Sequence, residues 1–316
     1  MINSYIALGY KCNHSCLNCP LSTFDRLHGQ LDPQIIIDNI NKLSLYGEDL
    51  HITISGGEPT LNPNFLEVLN ILGKSKSYIT ILSNATKCKD EEFVKKLIEA
   101  LGEDYDFKRL KYITAIHSLN EKTHDRLTGT EGSFIETMKG LENLDNKNIQ
   151  VVVKNIMNKV TAKDMRKTLN FLCNYFSNNI DFELCSTDYS GKCMKNANEL
   201  YIDFEQLQPY VEESIDSFEK NKNNCGRKLD IIETPLCLTD PYYWKYYQIN
   251  NENNLTYIAP NNENDNNIST NFTSECNTNY KECYGCDVKD YCSGIWKSTY
   301  DLEKDKTKII RKVKSI

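Results

Sequence analysis

The 316-residue sequence has no run of 18 or more apolar residues, so no membrane-spanning helix is expected. Its N-terminus lacks the charged and apolar regions of a secretion signal, which makes a cytoplasmic location the expectation. A basic excess is also missing: 37 Lys and Arg stand against 44 Asp and Glu, a net charge of −7. A phosphate backbone calls for a positive surface, so nucleic acid is not an expected partner. No internal repeat stands out. What remains, 40% apolar and 26% charged, is ordinary for a globular protein. The length suits one large α/β domain, or one domain with a smaller one beside it.

Cysteine is what the chain has in excess. Thirteen of them, without a secretion signal, point to metal or redox chemistry rather than a disulfide framework. Cys12, Cys16 and Cys19 form a C-x3-C-x2-C run directly after a short apolar stretch, with Pro20 closing the loop. Three thiolates can hold three corners of an iron–sulfur cubane and leave one iron with an open position, where chemistry can occur. A zinc site would want a fourth nitrogen or sulfur ligand nearby. His14 sits between the ligands and reads as a solvated loop residue. A second motif ends the apolar run at residues 51–61: Gly56-Gly57-Glu58-Pro59. The glycines allow the backbone to approach a ligand closely, and Glu58 offers a carboxylate to a cation.

In this order the two motifs resemble the signature of the radical S-adenosylmethionine (SAM) enzymes. The resemblance implies SAM and a [4Fe-4S] cluster with one open iron as cofactors, the cluster on Cys12, Cys16 and Cys19. Gly56, Gly57, Glu58 and Pro59 would hold the amino group of SAM. One electron from reduced flavodoxin or ferredoxin would cleave SAM to methionine and a 5′-deoxyadenosyl radical, which takes hydrogen from an unactivated C–H bond. The family often has an aromatic residue just before the third cysteine. Here Asn18 stands in that place, so adenine would need other walls.

Strand-like and helix-like segments alternate. Strands are expected at 4–8, 52–54, 78–82, 112–116, 151–153 and 180–184. Helices are expected at 33–46, 65–72, 91–101, 133–144 (with Ser133 as its N-cap) and 161–176. Repeated β–α units predict parallel strands with helices outside and a site at the C-terminal strand ends. The resemblance sharpens this α/β class to a partial (β/α)6 barrel over 1–200, followed by a small iron–sulfur extension over 201–316. Asn84, Ser118 and Asn155 follow strands and are expected to contact SAM; turn chemistry is the alternative for each. Beyond residue 200 the pattern predicts a helix at 204–219, a polar stretch at 220–227 and a strand at 229–232. A loop or hairpin insertion is expected over 249–282, and a solvated basic helix over 304–314.

Cys283, Cys286 and Cys292 make a C-x2-C-x5-C run. Alone it would read as a zinc knuckle or as buried thiols. Its spacing is similar to the last part of SPASM and twitch extensions, which implies one auxiliary [4Fe-4S] cluster. Cys237, in Pro235-Leu236-Cys237, is the expected fourth ligand, with Cys276 and Cys225 as runners-up. A two-cluster SPASM domain would continue with cysteine where Trp296 stands. Cys185 and Cys193 flank a turn after the sixth strand and are candidate catalytic hydrogen donors to a substrate radical. Buried thiols are also common packing residues, the role expected of Cys88 and Cys173.

The stretches His117-Ser118-Leu119, His124 to Gly129 and Gly132-Ser133-Phe134 are similar to the smaller peptide-modifying maturases, particularly those of His-Xaa-Ser systems. That resemblance implies a ribosomally made peptide as substrate and a crosslink or epimer as product. With the first cluster cysteine at residue 12, no N-terminal leader-binding domain is expected, so recognition would use the C-terminal part or a separate partner protein. Two rivals stand beside this reading. One is a radical SAM dehydrogenase acting on a small molecule; the other is a noncatalytic iron–sulfur or zinc binding protein.

Overall fold

The structure, a computed structural model, describes residues 2–21, 29–44, 49–248, 255–258 and 276–314. Seven strands follow one another through the first three-quarters of the chain: β1 (Ile2–Ala7), β2 (Leu50–Ser55), β3 (Tyr78–Leu82), β4 (Leu110–Ala115), β5 (Gln150–Met157), β6 (Ile180–Ser186) and β7 (Leu229–Ile232). Between them run α1 (Pro33–Ser44), α2 (Phe65–Lys74), α3 (Glu91–Leu101), α4 (Glu121–Thr128), α5 (Ser133–Asn146), α6 (Ala162–Tyr175), the short α7 (Gly191–Lys195) and α8 (Ala197–Leu200), and α9 (Phe204–Cys225). An eighth strand, β8 (Leu255–Ile258), completes a parallel sheet in the order β7-β6-β5-β4-β3-β2-β1-β8.

Because β1 to β7 are neighbours in space as in sequence, right-handed crossovers place the connecting helices on one face. The other, concave face is left for a site. Alternation along each strand divides the two. On β6, Ile180, Phe182 and Leu184 enter the helix-side core, where Phe182 meets Phe218 of α9 edge-on at 6.1 Å. Glu183 and Cys185 therefore face the concave side. Val151 and Val153 of β5 belong to that core, and Lys154 takes the other face. The expected α/β barrel architecture is present, with the loops that carry Cys12 to Cys19, Gly56 to Pro59, Asn84 and Ser118 following the C-terminal ends of β1 to β4.

Several expectations are corrected. Part of the 249–282 insertion is strand: β8 pairs with β1, and the short β9 (Cys276–Asn277) pairs antiparallel with β10 (Ile295–Trp296). The rest of that insertion lies outside the described residues. The sheet thus takes strands from both sides of residue 200. α9 continues through six of the eight residues of the polar stretch expected to end it, and its Leu207, Val211, Ile215 and Phe218 recur at helical spacing and bury one stripe. Ser133 opens α5 but does not cap it. Gly132 is the cap, and Asp125 accepts from the Gly132 and Phe134 amides and the Ser133 hydroxyl at 2.7–2.8 Å.

Residues 304–314 are not a solvated helix. After α10 (Lys297–Leu302) there is only a 3-10 turn, then Ile309 and Ile310 are buried. Arg311 donates to the carbonyls of Cys237, at 2.9 and 3.2 Å, and Leu238, at 3.0 Å. Two apolar residues amid the lysines had something to pack on, which charge counting alone conceals. Among the described residues, no helix is long and apolar enough to cross a membrane.

Candidate functional site

Cys12, Cys16 and Cys19 lie half-buried on the loop that leaves β1, all as thiols. Three neighbouring segments hold this loop. The first is the turn after β2: Gly57 N donates to Gly9 O at 2.8 Å and Glu58 N to Lys11 O at 2.9 Å. A Cβ on Gly56, at φ +118°, would lie 2.1 Å from Gly9 O, and one on Gly57 would lie 2.5 Å from the Tyr10 and Lys11 carbonyl oxygens. The close approach these glycines permit is to the cysteine loop itself.

The second segment ends α4, where Thr128 O and Leu127 O accept from the amides of Ser15 and Leu17, both at 2.8 Å. The third is α7. Cys193 N donates to Cys19 O at 3.0 Å, Lys192 Nζ to Ser15 Oγ at 2.7 Å, and Asn196 Nδ2 to Leu17 O at 3.1 Å. Sequence reasoning missed these last two supports. The available signal was Gly191, where a Cβ would lie 1.9 Å from Pro20 O.

Glu58 is buried, and its carboxylate is committed within the protein. Oε1 accepts from Thr60 N at 3.0 Å, Thr60 Oγ1 at 2.5 Å and Ser83 Oγ at 2.8 Å; Oε2 accepts from Asn84 N at 2.7 Å. Burial raises its pKa, and these hydrogen bonds work in the opposite direction. Glu58 thereby locks the rim of β2 to that of β3. Pro59 is buried at the start of the following turn. Asn84 reaches the cysteine loop: its Nδ2 donates to Asn13 Oδ1 at 2.7 Å, and its Oδ1 accepts from Thr86 N and Oγ1.

Ser118 is fully buried; it donates to Asp164 Oδ2 at 2.8 Å and accepts from Asn120 N at 3.0 Å, tying the β4 loop to α6. Asn155 is 4% exposed; its Nδ2 donates to Ile116 O at 3.1 Å, and its Oδ1 has no hydrogen-bond partner. A buried acceptor left over in this way costs free energy unless something fills it.

His14 is a correction: it is buried, not solvated. It packs near His117 and His124, whose rings lie 5.4 Å apart, with His117 N donating to His124 Nδ1 at 3.3 Å. Burial lowers His117 to about 4, helped by His14, and lowers His124 to about 3, helped by His117. Both imidazoles are neutral near pH 7.

The second cysteine group gathers around one small cavity. Cys237, Cys283, Cys286 and Cys292 line it together with Ile310 and Arg311. Two backbone amides, Leu236 N and Gly294 N, donate to Cys292 Sγ at 3.4 Å. Trp244 Nε1 donates to Leu236 O at 2.8 Å and, with Arg311, fixes the Cys237 loop. Cys276 is buried nearby on β9 and does not line the cavity. Cys225 ends α9, and its side chain lies outside the described residues. Among the described residues, no three His, Cys, Asp or Glu side chains converge closely enough to hold a single metal ion.

The two candidate hydrogen donors differ. Cys193 is sealed under the cysteine loop in an apolar cluster with Leu127, Tyr189, Ala197 and Leu200. Cys185 faces the concave side and bonds Glu233 Oε2 at 3.0 Å. Cys88 and Cys173 are buried in the helix-side core, as expected of packing residues.

The family model described as Radical SAM superfamily matches residues 6–172. The sporulation killing factor maturation protein SkfB of Bacillus subtilis is 27% identical over 232 residues, covering 73% of this chain and 52% of SkfB. The chain therefore spans about half the length of that relative. Among solved structures, Streptococcus suis SuiB bound to S-adenosylmethionine superposes with a TM-score of 0.66 at 15% identity, over 98% of this chain and 76% of SuiB. SuiB bound to the precursor peptide SuiA gives 0.58 at 18% identity, over 72% of this chain and 48% of SuiB. At these identities the likeness to SuiB is one of fold.

Proposed function

The chain belongs to the Radical SAM superfamily, and from that premise we propose that it cleaves SAM reductively and takes a hydrogen atom from a ribosomally made peptide, giving a crosslink or an epimer. The observation that carries this reading is the cradled loop: three thiols at the rim of a parallel sheet, held by backbone contacts from three segments. The peptide as substrate is supported by the maturation role in the name of SkfB and by the precursor peptide bound to SuiB.

When bound, a [4Fe-4S] cluster with one open iron, together with SAM, supplies a 5′-deoxyadenosyl radical. The chain's own work is to orient and to exclude water. Cys12, Cys16 and Cys19 would hold the cluster. Gly56 to Pro59 would present the β2 turn to the amino group of SAM, with Glu58 fixing that turn and not itself reaching out. Asn155, on the same side of β5 as Val151 and Val153, ties that strand to Ile116 O. Asn84 and Ser118 then act on the loops that bear the site. The electron would come from a flavodoxin or ferredoxin, and a separate partner protein could present the peptide.

An auxiliary [4Fe-4S] cluster on Cys237, Cys283, Cys286 and Cys292 fits the second cavity. The thiols surround a space and do not converge on a point. A tetrahedral zinc would need all four sulfurs about 2.3 Å from one ion. Amide donors to Cys292 Sγ suit a thiolate ligand. In this reading residues 1–200 carry the radical-generating site and 201–316 the auxiliary one, with β7 and β8 of the second part completing the barrel sheet.

Co-expression with a candidate precursor peptide, followed by mass spectrometry, tests the proposal. Loss of two hydrogens from the peptide would identify a crosslink. An unchanged mass with an altered stereocentre would identify an epimer. A peptide unchanged on both counts, with a small molecule consumed in its place, would overturn the reading.

A further inference from the structure

Cys185 and Glu233 form a pair on the concave face that the radical-generating loop does not use. The Cys185 thiol donates to Glu233 Oε2 at 3.0 Å and is almost wholly buried. Glu233 follows β7 with φ +49°, the left-handed region, where a residue with a Cβ is held at a cost of roughly 1–3 kcal/mol. The surroundings impose that conformation. Ser186 Oγ donates to Glu233 O, Ser186 N donates to Thr234 Oγ1 at 3.1 Å, and Thr234 Oγ1 donates to Ile232 O at 2.7 Å. The turn so fixed directs the Glu233 side chain back over the end of β6. Lys154, ion-paired with Glu183 at 3.4 Å, brings a cation to the same face.

Glycine would take this backbone without strain; a glutamate held there points to work for its carboxylate. Burial, and then the Glu233 charge, push the Cys185 thiol well above the ordinary cysteine range, so sulfur keeps its hydrogen. Only S–H, not a thiolate, can give up a hydrogen atom.

We propose that Glu233 is a positioning residue: its carboxylate, locked by Ser186 and Thr234, orients the Cys185 S–H group as the hydrogen-atom donor to a substrate carbon radical. The inference rests on the reading that such a radical forms on the concave face. In the step, the S–H bond breaks homolytically and a C–H bond forms on the carbon that earlier lost its hydrogen to the 5′-deoxyadenosyl radical. Cys185 is left as a thiyl radical. It returns to the thiol by taking one electron from a ferredoxin- or flavodoxin-class donor and one proton from solvent. The substrate ends at its original oxidation level with the centre inverted, which is the epimer outcome.

The test needs no peptide. The reconstituted full chain is given SAM and dithionite in D2O, and the 5′-deoxyadenosine is weighed for deuterium, since an unsatisfied radical takes hydrogen from the nearest weak bond and S–D is exchangeable. The wild type and the core-packing variant Cys173→Ala should yield deuterated product, Cys185→Ala should lose at least tenfold of the label, and Glu233→Gln several-fold, with Glu233→Asp recovering part. A second readout, on the same reconstituted protein without SAM, is the maleimide labelling rate of Cys185 by mass spectrometry. Glu233→Gln should raise it several-fold, as the negative charge that keeps the thiol protonated is removed. Label absent from the wild type, or persisting in Cys185→Ala, would overturn the donor itself. Label lost in Cys185→Ala but unchanged in Glu233→Gln, or a labelling rate unchanged in that variant, would overturn the role of Glu233 alone.

Discussion

The hydroxyl of Ser298, in α10, donates to Asp188 Oδ1 at 2.6 Å and accepts from the Tyr189 amide at 2.9 Å. Five residues beyond Asp188 is Cys193, whose amide holds Cys19 O. Four residues before α10 begins is Ser293, next to Cys292 of the second cavity. The two cysteine sites are thus joined through one buried hydroxyl.

Ser298→Ala leaves the Asp188 carboxylate and an amide without that partner, at a cost of about 1–3 kcal/mol. Its thermal midpoint is expected to fall, and iron bound at Cys12, Cys16 and Cys19 should be lost faster to a chelator, measured at 25 °C against the wild type.

Gly56→Ala places a Cβ 2.1 Å from Gly9 O at a positive φ, so the cysteine loop must shift. A loss of roughly 3 kcal/mol is expected from overpacking and strain together, with a drop in iron per chain after anaerobic reconstitution. Gly102→Ala is the control: its φ is also positive, but nothing lies within 4 Å of the added Cβ. It should lose less stability and no iron.

These two sites show what the sequence discloses. Cysteine spacing and the Gly-Gly-Glu-Pro turn were legible because they are local, and the strand–helix alternation was legible because each helix carries its own apolar stripe. Contacts far apart in sequence were not. Nothing near Cys19 announces that Cys193 will hold its carbonyl, or that Glu58 will bind the β3 rim. The four-residue strand β8 is too short to declare itself between asparagines, and His14 is hidden because its burial depends on two histidines over a hundred residues away.

Cys237→Ala and Cys276→Ala separate the ligand from its runner-up. With two [4Fe-4S] clusters the chain would carry about eight irons. Cys237→Ala is expected to fall toward about four under an iron assay with Mössbauer spectroscopy, and Cys276→Ala to keep both clusters, because only Cys237 lines the cavity.

The buried histidines set a pH dependence. In the unfolded chain each has a pKa of about 6.5, whereas burial holds His117 at about 4 and His124 at about 3 in the fold. Below about 6.5 the unfolded state binds protons that the folded state refuses, so stability falls with acid by about 1.4 kcal/mol per pH unit for each histidine. Melting curves at pH 7 and pH 5 should show this fall, and His117→Asn should make it shallower.

The most direct measurement concerns radical generation. Wild-type protein and a Cys12/Cys16/Cys19→Ala variant are reconstituted without air, given SAM and dithionite, and assayed for 5′-deoxyadenosine by chromatography and mass spectrometry. The wild type should produce it and the triple variant should not. Equal amounts from both would contradict the account.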